Sequence, residues 1–206
     1  MAITVFNTDS HLKYILPQNR KAFLQKVEDV SKYLQINPNW LMGIMYHESG
    51  INPAIVNSIG ATGLIQFMPN TAKGLGVSTA QLAKMSGVQQ MDYVLKYFEP
   101  YKGKIRTMTG LYVITFFPVA LQHTNNNDYV FQYGNLSASV IARDNPAFDI
   151  NKDGKITMGE YKKYLEKYFG ADLLNSANPY FGKDSPKPSP SKEPLLKDDE
   201  KKNPKI

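Results

Sequence analysis

The chain has 206 residues, 42% hydrophobic and 12% aromatic, which is enough apolar side chain for one packed domain with appendages and excludes a chain disordered throughout. It contains no cysteine, which excludes disulfides and thiolate metal sites. The formal net charge of +6 suits an anionic partner; with no basic cluster interleaved with aromatics, a bacterial wall fits better than nucleic acid, and no nucleic-acid partner is expected.

Met1 to Tyr14 shows no charged segment followed by a long apolar run, so no cleavable signal peptide is expected, and residues 1–17 read as an irregular, weakly ordered N-terminal segment. Asn19 to Gln35 has the pattern of a helix, with Phe23, Val27, Val30, Tyr33 and Leu34 on one face. A second helix starts where Asn37 can cap it and Pro38 suits the first position, whose N–H has no partner in any case. Leu41, Ile44 and Met45 recur at i, i+3 and i+4, and the next position on that stripe is Glu48. A carboxyl on the core side of a helix is penalised for ionising, and an acid still protonated near neutral pH is what general-acid cleavage of a glycosidic bond requires. His47 beside it reads as a bystander.

Ser49, Gly50, Asn52 and Pro53 end the helix; Ser49 to Asn70, punctuated by Gly60, Gly63 and Pro69, reads as a loop or short strands walling a cleft. No Asp or Glu occurs from Ser49 to Met91. A two-carboxylate glycosidase would have to draw its second acid from afar, and the next candidates, Asp92 and Glu99, read as surface residues. Short helices are expected at 71–75 and 79–85, and a longer one over 88–101 with Met91, Val94, Leu95 and Phe98 on one face. Residues 107–122 are the most apolar run, too short to span a membrane and broken by Pro118; they read as a buried helix behind the cleft. Asn125 to Asp128 is a turn cluster, and Tyr129, Phe131 and Tyr133 read as core aromatics.

Asp149 to Glu160 fits the calcium loop D-x-[DN]-x-[DN]-G-x₅-E at every specified position. Asp149, Asn151 and Asp153 would supply side-chain oxygens, Lys155 its carbonyl, Thr157 a direct or water-mediated contact, and Glu160 a bidentate carboxylate, while Gly154 allows the sharp turn and Ile156 faces a core. A helix follows in register with Tyr161, Tyr164, Leu165, Tyr168 and Phe169. With one loop instead of a pair, and Pro146 where an entering helix would end, the expected ion is a structural Ca2+ rather than a sensor's. Beyond Gly170 the pattern fades; 171–206 reads as an extension, extended and disordered from about 184 around PKPSPSKEP.

Glu48-Ser49-Gly50, Asn52-Pro53 and Gly60-Ala61-Thr62-Gly63-Leu64-Ile65-Gln66-Phe67-Met68-Pro69-Asn70-Thr71-Ala72 resemble the soluble lytic transglycosylase family in order, spacing and residue type, firmly over about 37–75 and more loosely to 170. The resemblance implies a mainly α, lysozyme-like, goose-type helical domain, here over 18–170 and carrying the single EF-hand-like loop. It implies cleavage of the MurNAc–GlcNAc β-1,4 bond of a peptidoglycan strand. Glu48 would be the sole acid and base, the N-acetyl group would assist, and the C6 hydroxyl would attack C1 to give a 1,6-anhydro sugar. Ser49, Gln66 and Met68 fall on substrate-lining positions, and Asn57 stands where relatives often carry Ser. The family's A-A-Y-N-A-G element is missing; Tyr112 in Gly110–Pro118 is the nearest equivalent, and a packed core aromatic is an equal reading. A wall enzyme without an export sequence points to a phage protein, of the virion or of lysis. The alternatives are a hydrolytic muramidase on the same fold and a non-catalytic, calcium-stabilised wall-binding or tail module.

Overall fold

The computed structural model describes residues 2–181; the tail expected from about 184 lies outside them. Among the described residues the regular structure is almost wholly helical: α1 (Arg20–Leu34), α2 (Pro38–Ser49), α3 (Pro69–Gly74), α4 (Thr79–Leu82), α5 (Gly87–Phe98), α6 (Met108–Phe116), α7 (Ala138–Asp144) and α8 (Met158–Leu174). Strand pairing is confined to isolated bridges, and no helix is long and apolar enough to cross a membrane. The mainly helical class is as expected. The described chain divides into one unit of residues 2–106 and 177–181 and another of 107–176.

In the first unit α1 packs on α5 and α2. Phe23, Val27, Val30 and Leu34 are fully or almost fully buried, as their spacing predicts. Tyr33, assigned to the same face, is exposed and donates its hydroxyl to Glu99 at 2.7 Å. Asn37 caps α2 by accepting from the Asn39 N–H at 3.0 Å, and Pro38 takes the first position. Every residue from Pro38 to Met45 is buried, so α2 has no polar face along its first two turns, and an apolar stripe is the wrong description of it. Leu41, Ile44 and Met45 each contribute roughly 1.5–3 kcal/mol by burial. Exposure begins at Tyr46, in the last turn.

Both chain ends of this unit are fastened to the base of α2. The buried Asn39 accepts through Oδ1 from the N–H groups of Thr4 at 2.7 Å and Val5 at 3.3 Å. Asn37 Nδ2 donates to the Ala177 carbonyl at 3.0 Å. Asn178, also buried, donates through Nδ2 to the carbonyls of Gln35 and Ile105, each at 3.0 Å, and the Arg106 guanidinium lies 3.6 Å from the centre of the Phe181 ring. The N-terminal segment is therefore not weakly ordered. Ile3, Leu12 and Ile15 are buried, Phe6 stacks on Tyr46 at 4.5 Å, and Asp9 pairs with Arg20. These anchors are single residues spaced without a period, which hides them from a search for helix or strand patterns.

The second unit is built on α6, whose nine residues are all buried and which stops before Pro118, as a residue with no N–H requires. Around it Phe116 stacks on Tyr161 at 5.3 Å, and Phe131 and Phe148 lie 5.3 and 5.2 Å from the same ring. Helix α7, capped by Ser137 on the Val140 N–H at 3.4 Å, was not expected: seven residues repeat the 3.6-residue period too few times to show it. Helix α8 runs on to Leu174 through a break at Gly170, so residues 171–174 are not an appendage.

Asn178→Ala leaves the buried Ile105 carbonyl and the part-buried Gln35 carbonyl without their donor, and the expected loss is about 1–3 kcal/mol of unfolding free energy, read from the urea midpoint at unchanged m.

Candidate active site

The last turn of α2 and the loop that follows it form one construction. Gly50, at φ +62°, turns the chain out of the helix, and the N–H of Ile51 reaches back to the Met45 carbonyl at 3.1 Å. The loop then folds on itself through bridges of Val56 with Thr62 and of Thr62 with Phe67. Glu48 stands half-buried at the edge of this construction, beside a half-buried His47. Burial lowers the pKa of His47, which keeps its imidazole neutral at neutral pH. Full burial of Glu48, expected from the stripe, is not what the helix gives: its carboxyl sits where α2 emerges.

The other expected substrate residues of this unit are drawn together, though several are turned inward. Ser49 is only 7% exposed; its Oγ lies 2.9 Å from the Met45 carbonyl and 3.0 Å from the Leu64 carbonyl, and it accepts the Asn52 N–H at 3.2 Å. Its hydroxyl clamps the loop to α2. Gln66 is equally buried, at φ +51°, and both its backbone N–H and its Nε2 donate to the Gly63 carbonyl, at 3.0 and 3.1 Å. Asn57 accepts through Oδ1 from the N–H groups of Ile59 at 3.0 Å and Ala61 at 2.9 Å, closing the turn at the loop tip. Met68 is half-buried at the N-cap of α3. Buried polar atoms are hydrogen-bonded almost without exception, and in a loop this short the nearest partners are the loop's own peptides.

One residue of this construction carried no expectation. Gln90 on α5 is fully buried; its Oε1 accepts the Leu64 N–H at 2.9 Å, and its Nε2 donates to the carbonyls of Leu82, at 2.7 Å, and Pro53. The signal was present in the sequence: Gln90 lies on the buried stripe of Gly87, Met91, Val94 and Phe98, where a polar side chain needs an explanation.

The distant acids are engaged elsewhere. Asp92 is exposed and pairs with Lys26 at 2.6 Å, and Glu99 is exposed and holds the Tyr33 hydroxyl. Tyr112 belongs to the second unit, where it is buried in α6 with ring centres of Tyr161 and Phe169 at 6.1 and 5.7 Å.

Also in the second unit, Asp149–Glu160 forms a tight loop between α7 and α8, with Lys152 at φ +59° and Gly154 at φ +80°. Pro146 follows the end of α7 at Asp144, so an entering helix does exist. Asp149 accepts from the N–H groups of Asp153 and Gly154 at 3.1 and 3.0 Å, Asn151 from Asp153 at 3.0 Å, and Asp153 from Lys155 at 3.0 Å. Glu160, 7% exposed, accepts from the Asn151 N–H at 3.2 Å and from the N–H and hydroxyl of Thr157 at 2.9 and 2.8 Å. Burial pushes its carboxyl up, but the hydrogen bonds from Thr157, Asn151 and Ile150 outweigh that and hold its pKa below the usual value. Ile156 is fully buried, and its carbonyl accepts the Phe131 N–H at 2.9 Å; the Met158 N–H reaches Tyr129 at 2.8 Å. Residues 129–131 thus meet this loop through one isolated bridge, of Val130 with Thr157. The oxygens are of the type and order that a calcium loop uses. In this arrangement they hold the loop's own N–H groups, and among the described residues no three His, Asp or Glu side chains stand grouped for a metal.

The match to a family model falls on the first unit. Residues 27–94 match the family described as Transglycosylase SLT domain. Over 50 residues the chain is 42% identical to a protein described as "Transglycosylase" from Enterobacteria phage PRD1; the alignment covers 24% of this chain and 19% of that protein, so the chain spans about a fifth of the curated relative it matches. The family match takes in α2, the loop and Gln90, and stops before the second unit.

Gly63 stands at φ +77°, and a Cβ there would lie 2.4 Å from Gln90 Oε1. Gly63→Ala is expected to cost about 2–5 kcal/mol, the sum of a left-handed backbone and an overpacked contact, measured as a lowered urea midpoint.

Proposed function

We propose that the chain is a peptidoglycan lytic transglycosylase with Glu48 as its single acid and base, a reading supported by the match of residues 27–94 to the transglycosylase SLT domain. The observation that carries the assignment is the position of Glu48, half-buried in the last turn of a helix whose first two turns are sunk in the core, one residue before Ser49, whose Oγ lies 3.0 Å from the Leu64 carbonyl of the loop. Glu48 donates its proton to the glycosidic oxygen as the C1–O bond of the muramic residue breaks. The residue's own N-acetyl oxygen holds C1 in the interval. The Glu48 carboxylate then takes the proton of the C6 hydroxyl as O6 attacks C1, and a 1,6-anhydro end forms with no water consumed. The engagement of Asp92 with Lys26 and of Glu99 with Tyr33, and the acid-free run from Ser49 to Met91, support this route over one with a second carboxylate. Gln66 and Asn57 shape the loop proposed to border the strand, Met68 lies half-buried at its end, and Tyr112 is assigned a packing role. The phage relative supports a phage protein acting on the bacterial wall, as a virion component or at lysis.

Glu48→Gln is expected to abolish turbidity loss in a wall suspension while the protein still pellets with the walls; loss of binding together with loss of clearing would point to a disturbed fold, and unchanged clearing would refute the assignment.

We also propose that Asp149, Asn151, Asp153, Glu160 and the Lys155 carbonyl hold a structural Ca2+, with Thr157 at the ninth position. The all-oxygen donor set in the order of a calcium loop supports this, as do the left-handed Gly154 and the buried Ile156 bridged to Phe131. Bound calcium supplies a positive centre that gathers these oxygens; the chain itself already holds the loop shape and anchors α8. Calcium 100-fold above its Kd is expected to add about 2.7 kcal/mol, visible as a raised Tm that chelator removes. Asp149→Ala should lose that response; a wild-type Tm indifferent to both calcium and chelator would contradict the site.

A further inference from the structure

We propose that Gln90 is a positioning residue for Gln66 and for the Glu48 end of α2, acting through the Gly63–Leu64 peptide. The inference rests on the reading of Glu48 as the acid.

A primary amide has two N–H donors and a carbonyl acceptor, and Gln90 uses both kinds fully. Nε2 gives one hydrogen to Pro53 at the start of the loop and the other to Leu82 at the end of α4, and Oε1 takes the Leu64 N–H. These three backbone groups belong to segments far apart in sequence, and the side chain that joins them is fully buried.

The Leu64 N–H and the Gly63 carbonyl are the two edges of a single planar peptide. Gln90 holds the N–H edge at 2.9 Å, while both the backbone and the side chain of Gln66 hang from the carbonyl edge. The orientation of that plane therefore fixes where Gln66 sits. The next carbonyl along, that of Leu64, is the one that faces Ser49 Oγ at 3.0 Å, and Ser49 is the residue after Glu48. Two successive peptides thus connect Gln90 to both halves of the site. The contact is close enough that Gly63 can carry no Cβ, since the Gln90 amide atoms would lie at 2.4 and 2.7 Å from it.

If Gln90 only filled space, an apolar side chain of the same length would replace it. Methionine has that length but leaves Leu64 N–H, Pro53 O and Leu82 O unpaired. Glutamate has that shape, but when ionised it is acceptor-only and would face two carbonyl oxygens; protonated, it regains one donor. A rotated Leu64 peptide then displaces Gln66 and loosens the clamp on Ser49, and a displacement of about 1 Å at a reacting centre costs on the order of 100-fold in rate.

The test compares the full chain with Q90M, Q90E and E48Q on solubilised glycan strands, well below the Tm of each, with folding checked by circular dichroism. The proposal expects folded Q90M with kcat reduced about 10- to 100-fold. It also expects a Q90E to wild-type activity ratio that rises as pH falls, since protonating the new carboxyl restores a donor. Lowered Tm with wild-type kcat and a flat activity ratio would make Gln90 purely structural and overturn the proposal, as would failure of both Gln90 variants to fold. Wild-type strands left uncut, or cut equally by E48Q, would overturn the reading of Glu48 and this inference with it.

Discussion

Burial of α2 on all sides is the constraint from which the site follows. From Pro38 to Met45 the helix offers nothing to solvent, and Asn37 and Asn39 at its base are committed to the two ends of the unit. A helix held in this way cannot rotate or slide to suit a substrate. Only its final turn meets solvent, where Tyr46, His47 and the proposed acid Glu48 emerge. The rigidity that would cost a signalling helix its function suits an acid that must meet one oxygen of a polymer in one geometry.

The loop after Gly50 solves a second problem, which is how to keep an almost strandless segment in one shape. It does so with side chains in place of a sheet. Ser49 and Gln90 take the Leu64 backbone from its two sides, Asn57 closes the tip, and Gln66 folds back on Gly63. Each bond is worth about 1 kcal/mol, but each also satisfies a peptide group that would otherwise be buried unpaired, and that penalty makes the arrangement cooperative.

Much of this was legible in the sequence where a local rule applies. The Asn37 cap, Pro38, the stop at Pro118 and the buried face of α1 each depend on a few adjacent residues, and each is where the sequence puts it. The loop motif lies within the residues that the family match covers. What stayed hidden depends on distance along the chain. Asn178 reaching Gln35, Thr4 reaching Asn39 and Gln90 reaching Pro53 have no period and no turn signal. Ser49 shows the same limit: a hydroxyl next to an acid looks like a substrate contact until the Leu64 carbonyl is seen 3.0 Å away. The short α7 has too few repeats of its period to show in the sequence.

The second unit answers to a different logic, an aromatic core around Tyr161 with a tight acidic loop fastened to it through Ile156 and Phe131. In the first unit, one carboxyl at the end of α2 is proposed to perform both proton transfers with no water taking part. The mass of the glycan ends released from purified peptidoglycan tests it most directly. Ends lighter by one water than reducing muramic acid, the mass of a 1,6-anhydro sugar, are the predicted result; ends with the full mass of a reducing sugar would show that water had attacked and would contradict it.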